Sequence, residues 1–204
     1  PTRRSSDLEY KFKDLLGIYQ ATYPEFDMEF AQDLIKMFDV NVKQKYSKAS
    51  TGYKSIMKII LALANPSEYI FLDEPVLGLD ANHRHIFNKK LLEAYARRPR
   101  TFVIATHLIE EVASILEKVI VIKDGVVTEE VLVEDVLHKG YVVSGSSTLV
   151  QEYVADKKVL ETNRIGNLTR SVVIGAIGEA QPGLEFSPLT LQDYFISITR
   201  KENE

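Results

Sequence analysis

Residues 69–80 read Tyr69-Ile70-Phe71-Leu72-Asp73-Glu74-Pro75-Val76-Leu77-Gly78-Leu79-Asp80. A short apolar run ends in two adjacent carboxylates, then a proline, then Gly-Leu-Asp. The run has the length of a buried strand. Such a strand delivers Asp73 and Glu74 at its C-terminal end, which suits metal-assisted phosphate chemistry. Asp73 can hold Mg²⁺ directly or through water, because hard cations take oxygen ligands. Glu74 can accept a proton from an attacking water. A bare Asp-Glu pair is more often a strand running into an acidic turn, so the flanking sequence decides the matter.

Downstream, residues 101–105 form a second apolar run, closing on Ile104-Ala105-Thr106-His107. Between the two runs, Phe87, Leu91 and Tyr95 recur at helical spacing, and Arg97-Arg98-Pro99 stops the pattern. Strand, helix and strand at this length make a βαβ unit, so the sheet is expected to be parallel with buried strands. Upstream, Ala49-Ser50-Thr51-Gly52-Tyr53 opens a strongly apolar helix over 52–64. Ile56, Ile59, Ile60 and Leu63 share one of its faces, while Met57, Leu61 and Ala62 make the rest apolar too. Asn65-Pro66 ends it. Two further helices precede this one. The first, over 8–22, carries Leu8, Phe12, Leu15, Leu16 and Tyr19 and stops at Tyr23-Pro24. In the second, Asp27 serves as N-cap and Phe30, Leu34, Met37 and Phe38 as the apolar stripe.

Taken together, these motifs resemble the nucleotide-binding subunit of an ABC transporter. That family has a signature motif, a Walker B strand with its glutamate, a D-loop and a switch histidine, in that order. Here they fall at Ser50-Thr51-Gly52-Tyr53, Asp73-Glu74, Gly78-Leu79-Asp80 and His107, over roughly residues 9–200. The nearest subgroup is that of Gram-positive bacteria with a Ser-Thr-Gly-Tyr-Lys signature. The resemblance implies a head-to-tail dimer in which each ATP is completed by the other subunit's signature motif. Ser50, Thr51, Gly52 and Tyr53 would meet the partner's ATP, with Ser50 and the Gly52 N–H at its γ-phosphate. Asp80 would cross the dimer interface, His107 would contact the γ-phosphate, and Glu74 would be the catalytic base. Either charge state of the imidazole serves that role. The signature departs from the usual Leu-Ser-Gly-Gly-Gln: Ala49, Thr51 and Tyr53 stand for Leu, Gly and Gln. Tyr46-Ser47 offers a competing alignment, three residues off in its spacing to Asp73.

The fold class implied is α/β, a P-loop-type ABC ATPase core with a parallel sheet and flanking helices, truncated, with a helical subdomain and a small α+β C-terminal region. The function implied is ATP hydrolysis, with ATP and Mg²⁺ at the site, powering transport through a separate integral membrane permease. Export is the expected direction. The expected location is the cytoplasmic face of a bacterial cell membrane. Rival readings are an ABC-type ATPase of DNA repair or chromosome maintenance, and a non-catalytic half of an asymmetric pair. The first usually carries a long coiled coil before the signature, where this chain has about 40 ordinary helical residues. The second sits poorly with intact Glu74 and His107.

The 204 residues carry a net charge of −4, a pI near 5.7 and no cysteine. That balance does not suggest nucleic acid as a partner, and disulfides are excluded. No apolar run approaches the roughly 18 residues of a membrane span. No Gly-x-x-x-x-Gly-Lys-[Ser/Thr] loop occurs in the sequence. Residues 1–8 are expected to be a non-native leader. Residues 9–130 are expected to be the C-terminal part of a nucleotide-binding domain: 9–64 the helical subdomain and signature helix, 65–130 the core from Walker B to the switch histidine. Residues 131–204 are expected to be an accessory region without chemistry of its own.

Near the boundary, residues 108–116 read as a short helix. Lys123-Asp124-Gly125 reads as the turn of a hairpin between 119–122 and 126–130. Beyond it, a helix is expected over 133–138 and strands over 141–143, 158–161 and 171–176. Ser187-Pro188 is expected to cap a last helix bearing Leu191, Phe195 and Ile198.

Overall fold

A computed structural model describes residues 10–179 and 181–199. The expected leader, residues 1–8, and Leu8 of the first helix lie outside the described residues. The chain divides into two compact units, one reaching Glu111 and one starting at Val112.

The first unit opens with helices α1 (Phe12–Thr22) and α2 (Met28–Met37). Asp27 caps α2 as expected, its side chain accepting from the Phe30 N–H at 2.8 Å. Phe30, Leu34 and Phe38 are buried, whereas Met37 is exposed. Helix α3 (Thr51–Leu63) buries Ile56, Met57, Ile59, Ile60, Leu61 and Leu63, a wide apolar face, and leaves Lys58 exposed. Strand β1 (Tyr69–Asp73), helix α4 (Ala81–Arg97) and strand β2 (Thr101–Ala105) follow. β1 and β2 pair in parallel, from Tyr69 opposite Thr101 to Asp73 opposite Ala105. The strand–helix–strand unit is therefore as read, but the expectation of fully buried strands is corrected. Ile70 and Leu72 are buried on one face, while Tyr69, Phe71 and Val103 lie open on the other. α3 packs against β1, and α4 packs against α3.

Away from the strand ends that carry the motifs, ion pairs lock the first unit. Buried Lys90 of α4 bonds Asp33 of α2 and Glu93 of its own helix. Burial pulls its pKa down, but hydrogen bonds and charge from both carboxylates outweigh that and raise it. Arg100 donates to the carbonyl of Leu63, a free C-terminal acceptor of α3, and to that of Asn65 just past the helix.

The helix expected over 108–116 is shorter than read, and it spans the boundary between the units. Only Ile109–Val112 (α5) is α-helical, and Ala113–Ile115 tightens into a 3₁₀ turn. β3 (Lys118–Lys123) and β4 (Val126–Leu132) form the expected hairpin. Asp124 at φ 51° and Gly125 at φ 78° give the left-handed pair that such a two-residue turn requires. This hairpin, grouped with the nucleotide-binding part on sequence grounds, lies within the second unit. Helix α6 (Val133–His138) leads into β5 (Gly140–Ser146), α7 (Ser147–Val154), β6 (Lys158–Ile165), β7 (Leu168–Ile174), β8 (Leu184–Pro188) and α8 (Leu191–Thr199). The four strands run β6-β7-β5-β8, each antiparallel to its neighbours. β5 and β6, joined through α7, are thus parallel to each other with β7 between them, a split βαβ arrangement.

Two elements here have no counterpart in the sequence reading, α7 and β8. The cap of α8 is also corrected. Ser187 and Pro188 belong to β8, and Thr190 caps the helix by accepting from the Asp193 N–H at 3.1 Å. A proline at the end of an edge strand costs no ladder bond, so the pair that looked like a helix start closes a strand instead.

Candidate functional site

Every residue singled out for chemistry lies in the first unit, at the C-terminal ends of β1 and β2 or at the start of α3. β1 ends at Asp73, whose carboxylate is exposed and takes part in no ion pair or side-chain hydrogen bond among the described residues. Magnesium commonly takes only one or two carboxylates, with water and phosphate oxygens completing its shell. A single free carboxylate at a strand end fits that habit. Among the described residues there is no cluster of three or more His, Cys, Asp or Glu side chains able to cage a metal.

Glu74 follows at φ 45°, a left-handed conformation that costs a non-glycine residue of order 1 kcal/mol or more. Its N–H bonds the Ala105 carbonyl at 2.8 Å, continuing the β1–β2 pairing one residue past the strand. This turn throws the side chain across to the loop after β2. There Glu74 Oε1 lies 2.7 Å from His107 Nδ1 and accepts from the His107 N–H at 3.2 Å. Oε2 accepts from the Thr106 hydroxyl at 2.8 Å. Burial alone would raise the Glu74 pKa, but the bonds from His107 and Thr106 outweigh it and hold the carboxyl below its usual range. Glu74 is therefore ionised at neutral pH. A carboxylate facing Nδ1 makes that nitrogen the proton-bearing one. Nε2 is left to accept in the neutral ring or to donate in the charged one.

The signature segment is built separately. Ser50 is the N-cap of α3, its hydroxyl accepting from the Tyr53 N–H at 3.2 Å. Ser47, of the competing alignment, lies instead in a 3₁₀ turn over Tyr46–Lys48. Thr51 begins the helix and is exposed. Tyr53 turns its hydroxyl to the backbone N–H of Asn41, in the loop before the helix. Gly52 packs on the loop after β1: a Cβ built on it would stand 2.3 Å from the Gly78 carbonyl oxygen. Gly78 itself sits at φ 76°, and the Ser55 hydroxyl reaches the Leu77 carbonyl at 3.5 Å. The segment 77–80 therefore abuts the start of the signature helix.

Asp80 caps α4, accepting from the His83 N–H and facing His83 Nδ1, each at 2.9 Å. The backbone bond from His83 is the chief cause of its lowered pKa. His83 also stacks on Phe38, with ring centroids 5.9 Å apart. The Leu77 N–H bonds the Glu74 carbonyl at 3.2 Å, so the turn after β1 links the Ser50 group to Glu74 through the main chain. The structure thus unites Glu74 with His107, and Gly52 with the loop leading to Asp80, as two clusters joined by that turn. Thr106 and Ser55 were not singled out from the sequence. Thr106 had a signal, as the residue between a strand end and a candidate histidine; Ser55 had none.

No family model matches the chain. Among curated proteins it is similar to the ABC transporter ATP-binding protein YtrB of Bacillus subtilis (strain 168), 29% identical over 120 residues. That match covers 59% of this chain and 41% of YtrB. It is also similar to the Nod factor export ATP-binding protein I of Burkholderia orbicola (strain AU 1054), 25% identical over 174 residues, covering 78% of this chain and 56% of the relative. The chain spans about half the length of the curated relatives it matches. Among solved structures, a cobalt transport ATP-binding protein aligns at a TM-score of 0.56 and 18% identity over 86% of this chain and 63% of that one. An ATP-binding subunit of an ABC transporter aligns at 0.57 and 19%, over 67% and 58%. At those identities the structures speak for the fold, which is that of an α/β ABC ATPase cassette. Motif order, fold and curated relatives agree in their likeness: the chain is similar to ABC transporter ATP-binding proteins.

Proposed function

We propose that the whole protein hydrolyses ATP as the ATP-binding subunit of an ABC transporter, working with a separate membrane permease, and that its direction is export. The observation that carries this reading is the meeting of Glu74 and His107, 2.7 Å apart, at the ends of two adjacent parallel strands. In the described residues, no helix is long and apolar enough to cross a membrane; in this reading the permease supplies the path. The export direction follows the name of one relative, a Nod factor export protein.

In this reading Glu74 is the general base. It takes a proton from a water whose oxygen bonds the γ-phosphorus, while the bond from that phosphorus to the bridging oxygen breaks and ADP leaves. Glu74 is suited to this because its carboxyl is held ionised. His107 presents Nε2 toward the γ-phosphate. Asp73 would hold Mg²⁺, which when bound draws negative charge from the phosphate oxygens. Ser50, Thr51, Gly52 and Tyr53 serve a second subunit's ATP in a head-to-tail dimer, where Ser50 and the Gly52 N–H stand at the positive end of a helix. In this chain Tyr53 acts indirectly, by pinning the loop at Asn41. Asp80 crosses the dimer interface from the loop abutting Gly52. The functional division follows: residues 9–130 belong to the nucleotide-binding domain and 131–204 to an accessory region. The place of work is the cytoplasmic face of a bacterial membrane.

The test is steady-state ATPase of the whole protein against its Glu74→Gln variant. Losing the base should cut turnover at least ~100-fold, with ATP binding retained and an ATP-bound dimer accumulating. Undiminished turnover by the variant removes Glu74 from the mechanism.

A further inference from the structure

Thr106 makes two bonds that together fix its hydroxyl. Its Oγ1 accepts from the Leu108 N–H at 3.0 Å and stands 2.8 Å from Glu74 Oε2. A hydroxyl has one proton to give. The Leu108 N–H donates to Oγ1 and holds the oxygen in place, so the hydroxyl proton points to Oε2. The other carboxylate oxygen is taken by His107 through its backbone N–H and Nδ1. Two neighbouring residues on one loop thus hold the two oxygens of one carboxylate, which sets both its position and its plane. Glutamate has three side-chain torsions, and leaving it free would disperse the carboxylate over several rotamers.

We propose that Thr106 is the positioning residue for Glu74, turning the carboxylate so that the edge shared with His107 addresses the reacting water. This rests on the reading of Glu74 as general base. In this role Thr106 acts through Glu74, the acceptor its hydroxyl faces. The competing role is that of a local cap, in which the hydroxyl serves only the Leu108 N–H.

Four forms of the whole protein separate the two roles: Thr106→Val, which keeps shape and loses the hydroxyl; Thr106→Ser, which keeps the hydroxyl; and each combined with Glu74→Gln. Thr106→Val should lower kcat at least about tenfold and leave KM for ATP within about twofold. Thr106→Ser should stay within about twofold of the parent. In the Glu74→Gln background, Thr106→Val should lower the residual turnover no further. An unchanged kcat in Thr106→Val, or the same fractional loss in both backgrounds, overturns the proposal and leaves the cap. If the unaltered protein does not hydrolyse ATP, the functional reading falls, and crystal structures of the variants decide the positioning claim. The Glu74 carboxylate should leave its place beside His107 in Thr106→Val and keep it in Thr106→Ser. A carboxylate unmoved in Thr106→Val overturns the claim whatever the turnover. Should Thr106→Val not fold, Thr106→Ala is read in the same two ways.

Discussion

The two units use their sheets in opposite ways. In the first, two strands present a row of backbone ends, and the informative residues sit beyond them: Asp73, Glu74, Thr106 and His107 at the tips of β1 and β2. The sheet's open face, with Tyr69, Phe71 and Val103, is largely exposed. In the second unit, three successive residues of β5, namely Tyr141, Val142 and Val143, are all buried. Alternation along a strand means that both faces of this sheet are covered. Tyr141, Val143 and Val173 pack with Val150 and Tyr153 of α7. Val142 and Val172 face the other way, toward α8, which Asp193 ties to Arg170 of β7 at 2.8 Å. One sheet holds up the loops to which the proposed chemistry is assigned. The other is the centre of a closed core. Conserving shape matters most in the second, and single polar atoms matter most in the first.

Truncating the centre of the closed core should therefore give the largest effect on stability. Tyr141 is buried, meets Tyr153 and Phe186 at ring-centroid distances of 6.4 and 6.0 Å, and donates to the Tyr153 hydroxyl at 3.2 Å. Tyr141→Ala should cost about 3–5 kcal/mol, as other aromatic truncations in cores do. Urea unfolding followed by the tyrosine signal measures this; a loss under about 1 kcal/mol would mean that the core is not closed as described.

The matching change in the first unit is polar and should act on rate instead. His107→Ala removes the ring beside Glu74, while the side chain is exposed and supports little packing. Turnover of the whole protein should fall about 100-fold, with the melting midpoint within about 2 °C of the parent. A large drop in that midpoint with turnover intact would make His107 a structural residue and erase the contrast between the units.

A third change tests a place where the first unit does depend on shape. Gly52→Ala drives a methyl group into the Gly78 carbonyl oxygen, and backbone atoms on both sides must move. Overpacking of this kind costs about 1–3 kcal/mol. The displaced segment is the one leading to Asp80, so ATP-dependent dimerisation, followed by light scattering, should weaken as well. A variant of parental stability would show the two segments to be free to part.

The contrast also explains what was legible beforehand. The βαβ unit and the Asp27 cap follow from local chemistry: apolar runs, prolines and a helix-capping side chain. Glu74 and His107 were singled out one by one, but their contact, across 33 residues, was not read. The open face of β1 was missed because Tyr69 and Phe71 look identical in sequence whether or not something covers them. α7 was missed because Ser147–Val154 is only eight residues long and starts from Ser144-Gly145-Ser146, a run that reads as a loop. β8 was missed because its Phe186 and Leu184 are set among glycine, prolines and charge, and its strand state comes from pairing with β5, a partner some 40 residues away. Thr106 shows the limit at the site. Its importance lies in the Glu74 oxygen it faces, which a sequence does not display.

The smallest predicted effect sharpens that lesson at one helix. Two candidates exist for the cap of α8, Ser187 by sequence and Thr190 by structure. Both are exposed, so burial does not separate them. Thr190 Oγ1 accepts from the Asp193 N–H, one of the four donors left open at a helix start. Ser187 lies in β8, where its backbone pairs with Val142. Thr190→Ala should therefore destabilise the second unit by about 1 kcal/mol, the usual cost of a lost N-cap. Ser187→Ala, at an exposed strand position, should change stability by less than about 0.5 kcal/mol. Both values come from one set of urea titrations. The reverse order would move the helix start back to Ser187-Pro188, removing the end of β8 and uncovering the edge of β5 where Tyr141 lies.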